Sequence, residues 1–164
     1  MRQAMILNTL RMSALALTIT MAAVATPSLA QTTNTQTIKL FYDAISQDKP
    51  DLLDKVLAKN WEDVPPNPGQ GLGRDAMKPV IDGFHKTFAD MHVVNDQIID
   101  AGKFVIVRST ISGTQVGPFA GFKAKNQPFK VMAVDIHEFE DGKVVRTWHV
   151  EDWLGGLFQM GAFQ

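Results

Sequence analysis

The hydrophobic residues of the chain follow a helical spacing at first and a strand-like spacing later. Residues 37–47, 50–57 and 73–88 each carry apolar side chains three or four positions apart, which is typical of helices with one buried face. From residue 92 onward, the apolar residues are mainly β-branched or aromatic and come in short runs separated by glycine-containing turns. This order predicts the α+β class, with N-terminal helices packed on the concave face of a curved antiparallel sheet. Such an arrangement encloses a cone-shaped pocket.

Residues 60–72 interrupt the pattern with three prolines and two glycines. This composition predicts an irregular loop. Trp61 and Asp63 stand at the start of that loop, where an aromatic ring and a carboxylate suit the lip of a pocket. The alternative is that Trp61 covers the core and Asp63 is solvated, and the sequence leaves both interpretations open.

The strongest local signal is the segment 131–152, in which two strand-like runs flank an Asp-Gly pair. A type I turn with a glycine bulge at Gly142 would place Asp135 opposite His149 on one face of the hairpin, whereas a strict two-residue turn would pair Asp135 with Trp148. In the bulged register, Asp135 would orient the imidazole and favour its charged form. Such a histidine can transfer protons near neutral pH. The alternative is an ordinary structural cross-strand hydrogen bond.

Other polar and aromatic side chains fall near the predicted pocket. Arg108 lies inside a strand, where a charged side chain either faces solvent or reaches into a polar cavity. A lone histidine beside an apolar helix face, such as His85, is more often structural than a ligand. We expect no metal and no cofactor, although zinc would become possible if His137 also turned inward. The residues expected to contact substrate are Trp61, Asp63, His85, Phe88, Arg108, Glu151 and Asp152.

Residues 1–30 have the pattern of a secretory signal peptide. Arg2 and Arg11 precede an apolar run, and Ser28-Leu29-Ala30 forms a small-residue cleavage site. We therefore expect an exported protein, periplasmic or secreted, without stable membrane insertion after cleavage; the alternative is an uncleaved anchor. The chain has no cysteine, which excludes thiol chemistry. Without the two arginines, 14 basic residues stand against 17 acidic ones, so nucleic acid is not an expected partner.

Short motifs spread over residues 38–162 together resemble one known family. They are Gly73-Arg74 at a helix start, Thr87-Phe88-Ala89-Asp90 at its end, Asp100–Lys103, Gly117–Gly121, Val134-Asp135-Ile136, Phe139–Lys143, Trp148 with Asp152, and Gln159-Met160-Gly161. In their order and spacing they resemble the SnoaL-like polyketide cyclase (ester cyclase) family of the nuclear transport factor 2-like (NTF2-like) superfamily. The resemblance implies an NTF2-like cone over residues 31–164, a homodimer formed through the sheet, and cofactor-free acid/base chemistry.

Studied members of that family close a ring of a polyketide methyl ester by intramolecular aldol condensation, using a carboxylate with a nearby histidine. The family carboxylate falls at His149 and the histidine at or near Asp135, so this chain holds the two residue types in exchanged positions. The resemblance implies that His149 transfers the proton and that Asp135 orients the His149 imidazole. It also implies that the substrate is a small hydrophobic carbonyl compound. Two other functions stay open: a non-catalytic periplasmic protein for a hydrophobic ligand, and an interaction protein that assembles through its sheet face.

Overall fold

The computed structural model describes residues 29–164, so the predicted signal peptide lies almost entirely outside the described residues. None of the described helices is long and apolar enough to cross a membrane. Two short 3-10 helices, Pro50–Leu52 and Arg74–Ala76, directly precede the second and third α-helices. In chain order the helices and strands are α1 (Leu29–Ser46), α2 (Leu53–Val56), β1 (Leu57–Val64), α3 (Lys78–Thr87), β2 (Phe88–Ala101), β3 (Phe104–Gln115), β4 (Pro128–Glu140), β5 (Lys143–Glu151) and α4 (Trp153–Gln159).

The five strands form one sheet in the order β1-β5-β4-β3-β2. Strands β2 to β5 pair antiparallel with their neighbours in sequence, as the alternating pattern predicts. Strand β1 pairs parallel with β5, so the sheet is mixed rather than wholly antiparallel. Most of the helical structure precedes the run of strands from β2 to β5, and the α+β class predicted from the sequence is confirmed.

The prediction of a loop over residues 60–72 is wrong for its first part, because β1 continues to Val64. Leu57 and Trp61 are buried on one side of this strand, but mostly polar residues around them hide the pattern from a search for alternating hydrophobic positions. Pro65 follows the last strand residue and has no N–H group with which to continue the ladder. The parallel pairing with β5 therefore ends where the irregular segment begins.

An apolar core fills the space between the helices and the inner face of the sheet. On β3, Val105 and Val107 are fully buried, whereas Arg108 beside them is exposed on the outer face. The helices contribute Ile38 from α1 and Ile81 from α3, both fully buried. Full burial of each such side chain stabilises the fold by about 1.5–3 kcal/mol relative to exposure. Any polar side chain on the inner face must therefore find a partner within this core or line a cavity.

The β4–β5 hairpin has the predicted register but reaches it by a different route. Asp135 pairs with His149, as the bulged hairpin predicted. The turn itself is a two-residue one, since Glu140 pairs with Lys143 and both central residues have positive φ angles, 48° at Asp141 and 74° at Gly142. The extra residue lies further along β5, where the register shifts between Val144 and Arg146. The predicted bulge at Gly142 is therefore wrong, although the pairing that it was meant to explain is right.

Candidate functional site

A small cavity lies between the inner face of the sheet and the helices. Its volume is about 60 Å³, and an adjoining groove of about 490 Å³ shares Asn67 and Phe84 with it. Aromatic and aliphatic side chains from α1, α3, β2, β3 and α4 form most of the wall. Four acidic or basic side chains interrupt that apolar lining, and they are Asp63, Asp135, His149 and Glu151.

The strand pairing explains why these four side chains meet. His149 and Glu151 are two residues apart on β5 and point to the same face, and Asp135 lies opposite His149 on β4. One ligand atom from each of these three residues lies within 4.8 Å of the others. Asp63 arrives from the other side, because β1 runs parallel to β5 and Asp63 pairs with Thr147. Three strands thus place three carboxyl groups around one imidazole.

His149 is held as a cation by its neighbours. Its Nδ1–H donates to Glu151 Oε1 at 2.9 Å, and its Nε2–H lies 2.8 Å from the Pro65 carbonyl oxygen and 3.1 Å from Asp63 Oδ1. Burial alone would lower the pKa of His149, but the hydrogen bonds to Asp63 and Glu151 outweigh it and raise the pKa to about 11. Asp63 and Glu151 orient this ring, so the prediction that Asp135 is its hydrogen-bonded orienting partner is wrong.

Asp135 instead receives a hydrogen bond from a tyrosine. Tyr42 of α1 donates its hydroxyl hydrogen to Asp135 Oδ2 at 2.9 Å, and Asp135 is only 7% exposed. Burial raises the pKa of Asp135 to about 7, although the hydrogen bond from Tyr42 opposes that rise. Burial also raises the pKa of Tyr42 well above its ordinary value, so the hydroxyl keeps its proton. Asp135 can therefore gain or lose a proton near neutral pH.

Three more polar side chains continue from Tyr42, and of these Trp61 and Thr147 also line the cavity whereas His137 does not. His137 Nε2 lies 2.9 Å from the Tyr42 hydroxyl, and His137 Nδ1 lies 3.0 Å from Thr147 Oγ1. Trp61 Nε1–H donates to the same Thr147 oxygen at 3.0 Å. All are 4% exposed or less. Burial lowers the pKa of His137 to about 3, with a smaller contribution from the charge of His149, and the ring is therefore neutral.

Comparison with known proteins now identifies the family. A sequence model of SnoaL-like polyketide cyclases matches residues 36–160, which is most of the chain. The chain belongs to the SnoaL-like polyketide cyclase family. No curated protein matches its sequence.

Solved structures resemble this SnoaL-like protein over most of its length. It is 30% identical to TsrD from Streptomyces laurentii, with a TM-score of 0.75 over 84% of this chain and 100% of that one. A candidate polyketide cyclase from Bacillus cereus is 24% identical, with a TM-score of 0.70 over 81% and 83% of the two chains. A Catenulispora acidiphila protein of ketosteroid isomerase-like fold is 16% identical, with a TM-score of 0.64 over 77% and 92%. These likenesses confirm the NTF2-like fold.

The structure of the SnoaL-like protein brings together part of the set expected to contact substrate. Trp61, Asp63 and Glu151 line the cavity with Asp135 and His149. Trp61 belongs to β1 and not to a loop, and it is 2% exposed. Both alternatives for Trp61 therefore hold in part, because its indole covers the core and also borders the cavity.

Two of the expected residues on or next to α3 lie elsewhere. His85 contacts the backbone carbonyl oxygen of Ile45 through Nε2 and is not among the residues that line the cavity. Phe88 is fully buried, and its ring lies 4.8 Å from that of Phe129 and 5.8 Å from that of Trp153. Both residues therefore have structural roles: His85 contacts a backbone carbonyl oxygen, and Phe88 belongs to an aromatic cluster in the core.

Arg108 and Asp152 also point away from the cavity. Arg108 faces solvent on the outer side of the sheet and forms an ion pair with Asp96 at 3.2 Å. It stands one residue from the inward-facing Val107 and so must point outward. Asp152 caps the N-terminus of α4, where its Oδ1 accepts a hydrogen bond from the Gly155 N–H at 2.9 Å. Neither residue is placed to contact a ligand in the cavity.

The charged cluster of this SnoaL-like protein is better suited to proton chemistry than to a metal. A metal at Asp135, His149 and Glu151 would need a lone pair from one nitrogen of the imidazole. Both nitrogens carry hydrogens that oxygen acceptors hold, and removing either proton works against the raised pKa of His149. The donor set thus opposes the metal-bound form of the histidine.

Tyr42 and Thr147 were not among the site residues predicted from the sequence, and His137 was predicted only as a possible zinc ligand. His137 lies two residues after Asp135, and Thr147 lies two residues before His149. Strand periodicity therefore places both on the inner face, and that signal could have found them. No comparable signal exists for Tyr42, which lies on a helix 93 residues before its carboxylate partner.

Proposed function

We propose that this SnoaL-like protein is a cofactor-free acid/base enzyme that removes a proton beside the carbonyl group of a small hydrophobic compound. The observation that carries the proposal is Asp135. Its carboxyl group lines the cavity and is held at one oxygen by Tyr42, and burial raises its pKa to about 7. A general acid/base works best when its pKa lies near the operating pH.

The geometry favours Asp135 over His149 as the group that transfers the proton. His149 has a pKa of about 11 and both of its N–H groups are engaged, so at neutral pH it is a cation without a free lone pair. Asp135 Oδ1 has no hydrogen-bond partner among the described residues and is available to a ligand. We therefore assign His149 an electrostatic role, in which it offsets the charges of Asp63 and Glu151.

The proposed chemistry needs no redox step. Asp135 takes a proton from the carbon beside a carbonyl, and the electrons of the broken C–H bond form an enolate. That enolate attacks a second carbonyl carbon in the same molecule, a C–C bond closes the ring, and Asp135 returns its proton to the new alkoxide. In an isomerisation the proton would return to another carbon instead.

Ser109 is placed to stabilise the enolate oxygen. Its side chain lines the cavity, is 1% exposed, and its hydroxyl has no hydrogen-bond partner among the described residues. A buried hydroxyl without a partner costs free energy, which a hydrogen bond to a bound ligand would recover. Ser109 pairs with Ala133, two residues from Asp135 on the neighbouring strand. A carbonyl group bound between the two side chains would meet a base on one side and a donor on the other.

The cavity and its groove together indicate the shape of the substrate. The 60 Å³ chamber suits a carbonyl group with a few carbon atoms and is much smaller than a typical drug-sized site. The 490 Å³ groove beyond Asn67 and Phe84 could hold the rest of the molecule. Gly83 on its wall has no atom within 4 Å of an added Cβ position, so the groove is open there. A compact reactive end on a longer apolar body fits this arrangement.

Proton exchange tests the proposal without knowledge of the natural reaction. A panel of apolar ketones and β-keto methyl esters would be incubated with the protein in D₂O, and loss of the α-proton signal would be followed by NMR. Exchange above the buffer rate for at least one compound supports the enzyme. Saturable binding without faster exchange would favour the ligand-binding alternative, and neither binding nor exchange would favour an interaction protein.

We also propose that two copies associate through the outer face of the sheet. Met132, Ile136 and Val150 on that face are 54%, 38% and 67% exposed, and an apolar surface of this kind is commonly an interface. Light scattering at micromolar concentration should report a dimer for the wild type and a monomer for Ile136→Lys. The control Asp82→Lys introduces the same charge on the exposed side of α3 and should remain dimeric. A monomeric wild-type protein would contradict the proposal.

Export is a further proposal, and it rests on Arg2, Arg11 and the Ser28-Leu29-Ala30 junction. The mature protein should begin at Gln31 and lie in the periplasm or outside the cell. Intact-mass measurement of protein from the periplasmic fraction would check this, and a protein that still begins at Met1 would refute it.

A further inference from the structure

Five buried side chains, four of which line the cavity, form one continuous chain of hydrogen bonds. It runs from Trp61 through Thr147, His137 and Tyr42 to Asp135, with four contacts between 2.9 and 3.0 Å. It draws on α1, β1, β4 and β5, so four elements meet at this line of groups. None of the five residues is more than 7% exposed.

The direction of every hydrogen bond in the chain follows from its two ends. Trp61 can only donate, and an ionised Asp135 can only accept. Tyr42 must then donate to Asp135, and its oxygen must accept from His137 Nε2–H. A neutral His137 carries one hydrogen, so its Nδ1 accepts from the Thr147 hydroxyl. Thr147 in turn accepts from Trp61.

We infer that Trp61, Thr147, His137 and Tyr42 are positioning residues that act as one relay, fixing which oxygen of Asp135 faces the cavity and favouring the ionised carboxylate. The inference rests on the proposed role of Asp135 as the proton-transfer group. Hydrogen bonds in a buried chain polarise one another, so each donor strengthens the next. Removal of a donor far from Asp135 should therefore weaken the Tyr42 contact even though the removed group never touches the carboxylate.

The relay is one of several influences on Asp135, and the others are identifiable. The ionisable groups around Asp135 are Tyr42 from α1, Asp63 from β1, His137 on the same strand, and His149 and Glu151 from β5. Strand β3 presents only Val107 opposite Asp135. Asp63 and Glu151 raise the pKa of Asp135 and His149 lowers it, but Trp61 and Thr147 carry no charge. Because Trp61 and Thr147 also line the cavity, a substitution must preserve their shape so that it changes the hydrogen bonds and not the burial of Asp135.

Thr147→Val is the decisive variant, because valine has nearly the same shape and lacks the hydroxyl. In the full chain with ¹³C-labelled aspartate, the carboxyl NMR signal of Asp135 would be followed against pH. We expect the midpoint to rise by about half a pH unit in Thr147→Val and by about one unit or more in Tyr42→Phe, because a weakened or lost donor disfavours the ionised form. Thr147→Ser, which restores the hydroxyl, should return the midpoint to within about 0.2 unit of the wild type.

Two further variants keep the test falsifiable. Trp61→Phe keeps an aromatic ring and removes the first donor, so it should also raise the midpoint if Thr147→Val folds poorly. Thr110→Val makes the same change on the outer face of the sheet, where the Thr110 hydroxyl contacts Asp96, and should leave the midpoint unchanged. An unchanged midpoint in both Thr147→Val and Trp61→Phe would overturn the relay, as would an equal shift in Thr147→Ser and Thr147→Val.

The outcome is separable from that of the proposed function. The titration of Asp135 needs no substrate, so a relay can be demonstrated in a protein that catalyses no exchange. Conversely, exchange catalysed by the wild type with unshifted midpoints in the variants would support the enzyme and reject the relay.

Discussion

Replacement of Asp135 by asparagine should lower the rate of catalysed α-proton exchange by a factor of about a thousand or more. General acid/base groups contribute about 10²–10⁴-fold to such reactions, and the amide cannot accept the substrate proton. The wild-type rate should rise with pH and level off above pH 7, because the pKa of Asp135 is raised to about 7 and only the ionised carboxylate is a base. NMR measurement of exchange in D₂O between pH 5 and 9 would test both expectations.

The size of the loss distinguishes the base from the groups around it. Ser109→Ala should slow exchange by a smaller factor, about a hundred, because it removes one hydrogen bond to the enolate oxygen. Asp82→Asn changes an exposed carboxylate on α3 and should retain the wild-type rate. A different result would contradict this assignment: Asp135→Asn keeps more than a tenth of the wild-type rate, and His149→Gln abolishes exchange. His149 would then be the proton-transfer residue, as its position in the family implies.

The hairpin was predictable because residues close together in the sequence determine it. The Asp-Gly turn and the two-residue alternation place Asp135, His149 and Glu151 on one face once the register is known. Two registers were possible from the sequence. The correct one depends on a bulge between Val144 and Arg146, and no residue type there predicts a bulge. The right pairing was therefore predicted with the wrong turn.

The partners of the hairpin were not predictable, because they come from distant parts of the chain. Asp63 reaches His149 only because β1 pairs parallel with β5, and a loop had been expected there. Tyr42 reaches Asp135 from α1. These two contacts decide which group is charged: Asp63 helps to hold His149 as a cation, and Tyr42 holds one oxygen of a largely desolvated Asp135. The sequence predicted Asp135 and His149 as a pair, but the roles that we propose for the two side chains depend on neighbours that are distant in the sequence.

His137 should lower the stability of the fold in acid, and Asp135 should offset most of that loss between about pH 4 and 7. Burial lowers its pKa to about 3 from an ordinary value of 6.5, so the folded state keeps the ring neutral while the unfolded chain binds a proton below pH 6.5. This group therefore removes stability as the pH falls from about 6.5 to about 3, by about 5 kcal/mol in all. Asp135 acts in the opposite direction between about pH 4 and 7, because its raised pKa lets the folded state bind a proton that the unfolded chain has released. The wild-type stability should consequently change little across that range on account of these two groups.

The variant His137→Gln should reveal the contribution of His137 to the pH dependence of stability, which Asp135 offsets in the wild type. At pH 7 this variant should be less stable than the wild type by about 3 kcal/mol, because the hydroxyl groups of Tyr42 and Thr147 lose a buried partner. At pH 4 the difference should shrink by about 3 kcal/mol, since glutamine has no proton to bind and the variant escapes the acid penalty of His137. Urea unfolding of both proteins at pH 4, 5, 6 and 7 measures the difference directly.

Comparison of the two proteins at each pH cancels the contributions of the surface carboxylates, which both chains share. The pKa of His149 is raised, so the stability that it adds is fully present below pH 6.5 and does not disturb the comparison there. A gap between His137→Gln and the wild type that stays constant from pH 7 to pH 4 would mean that His137 takes up its proton equally in the folded and unfolded states. A histidine that does so cannot serve as the neutral centre of the relay that runs from Trp61 to Asp135.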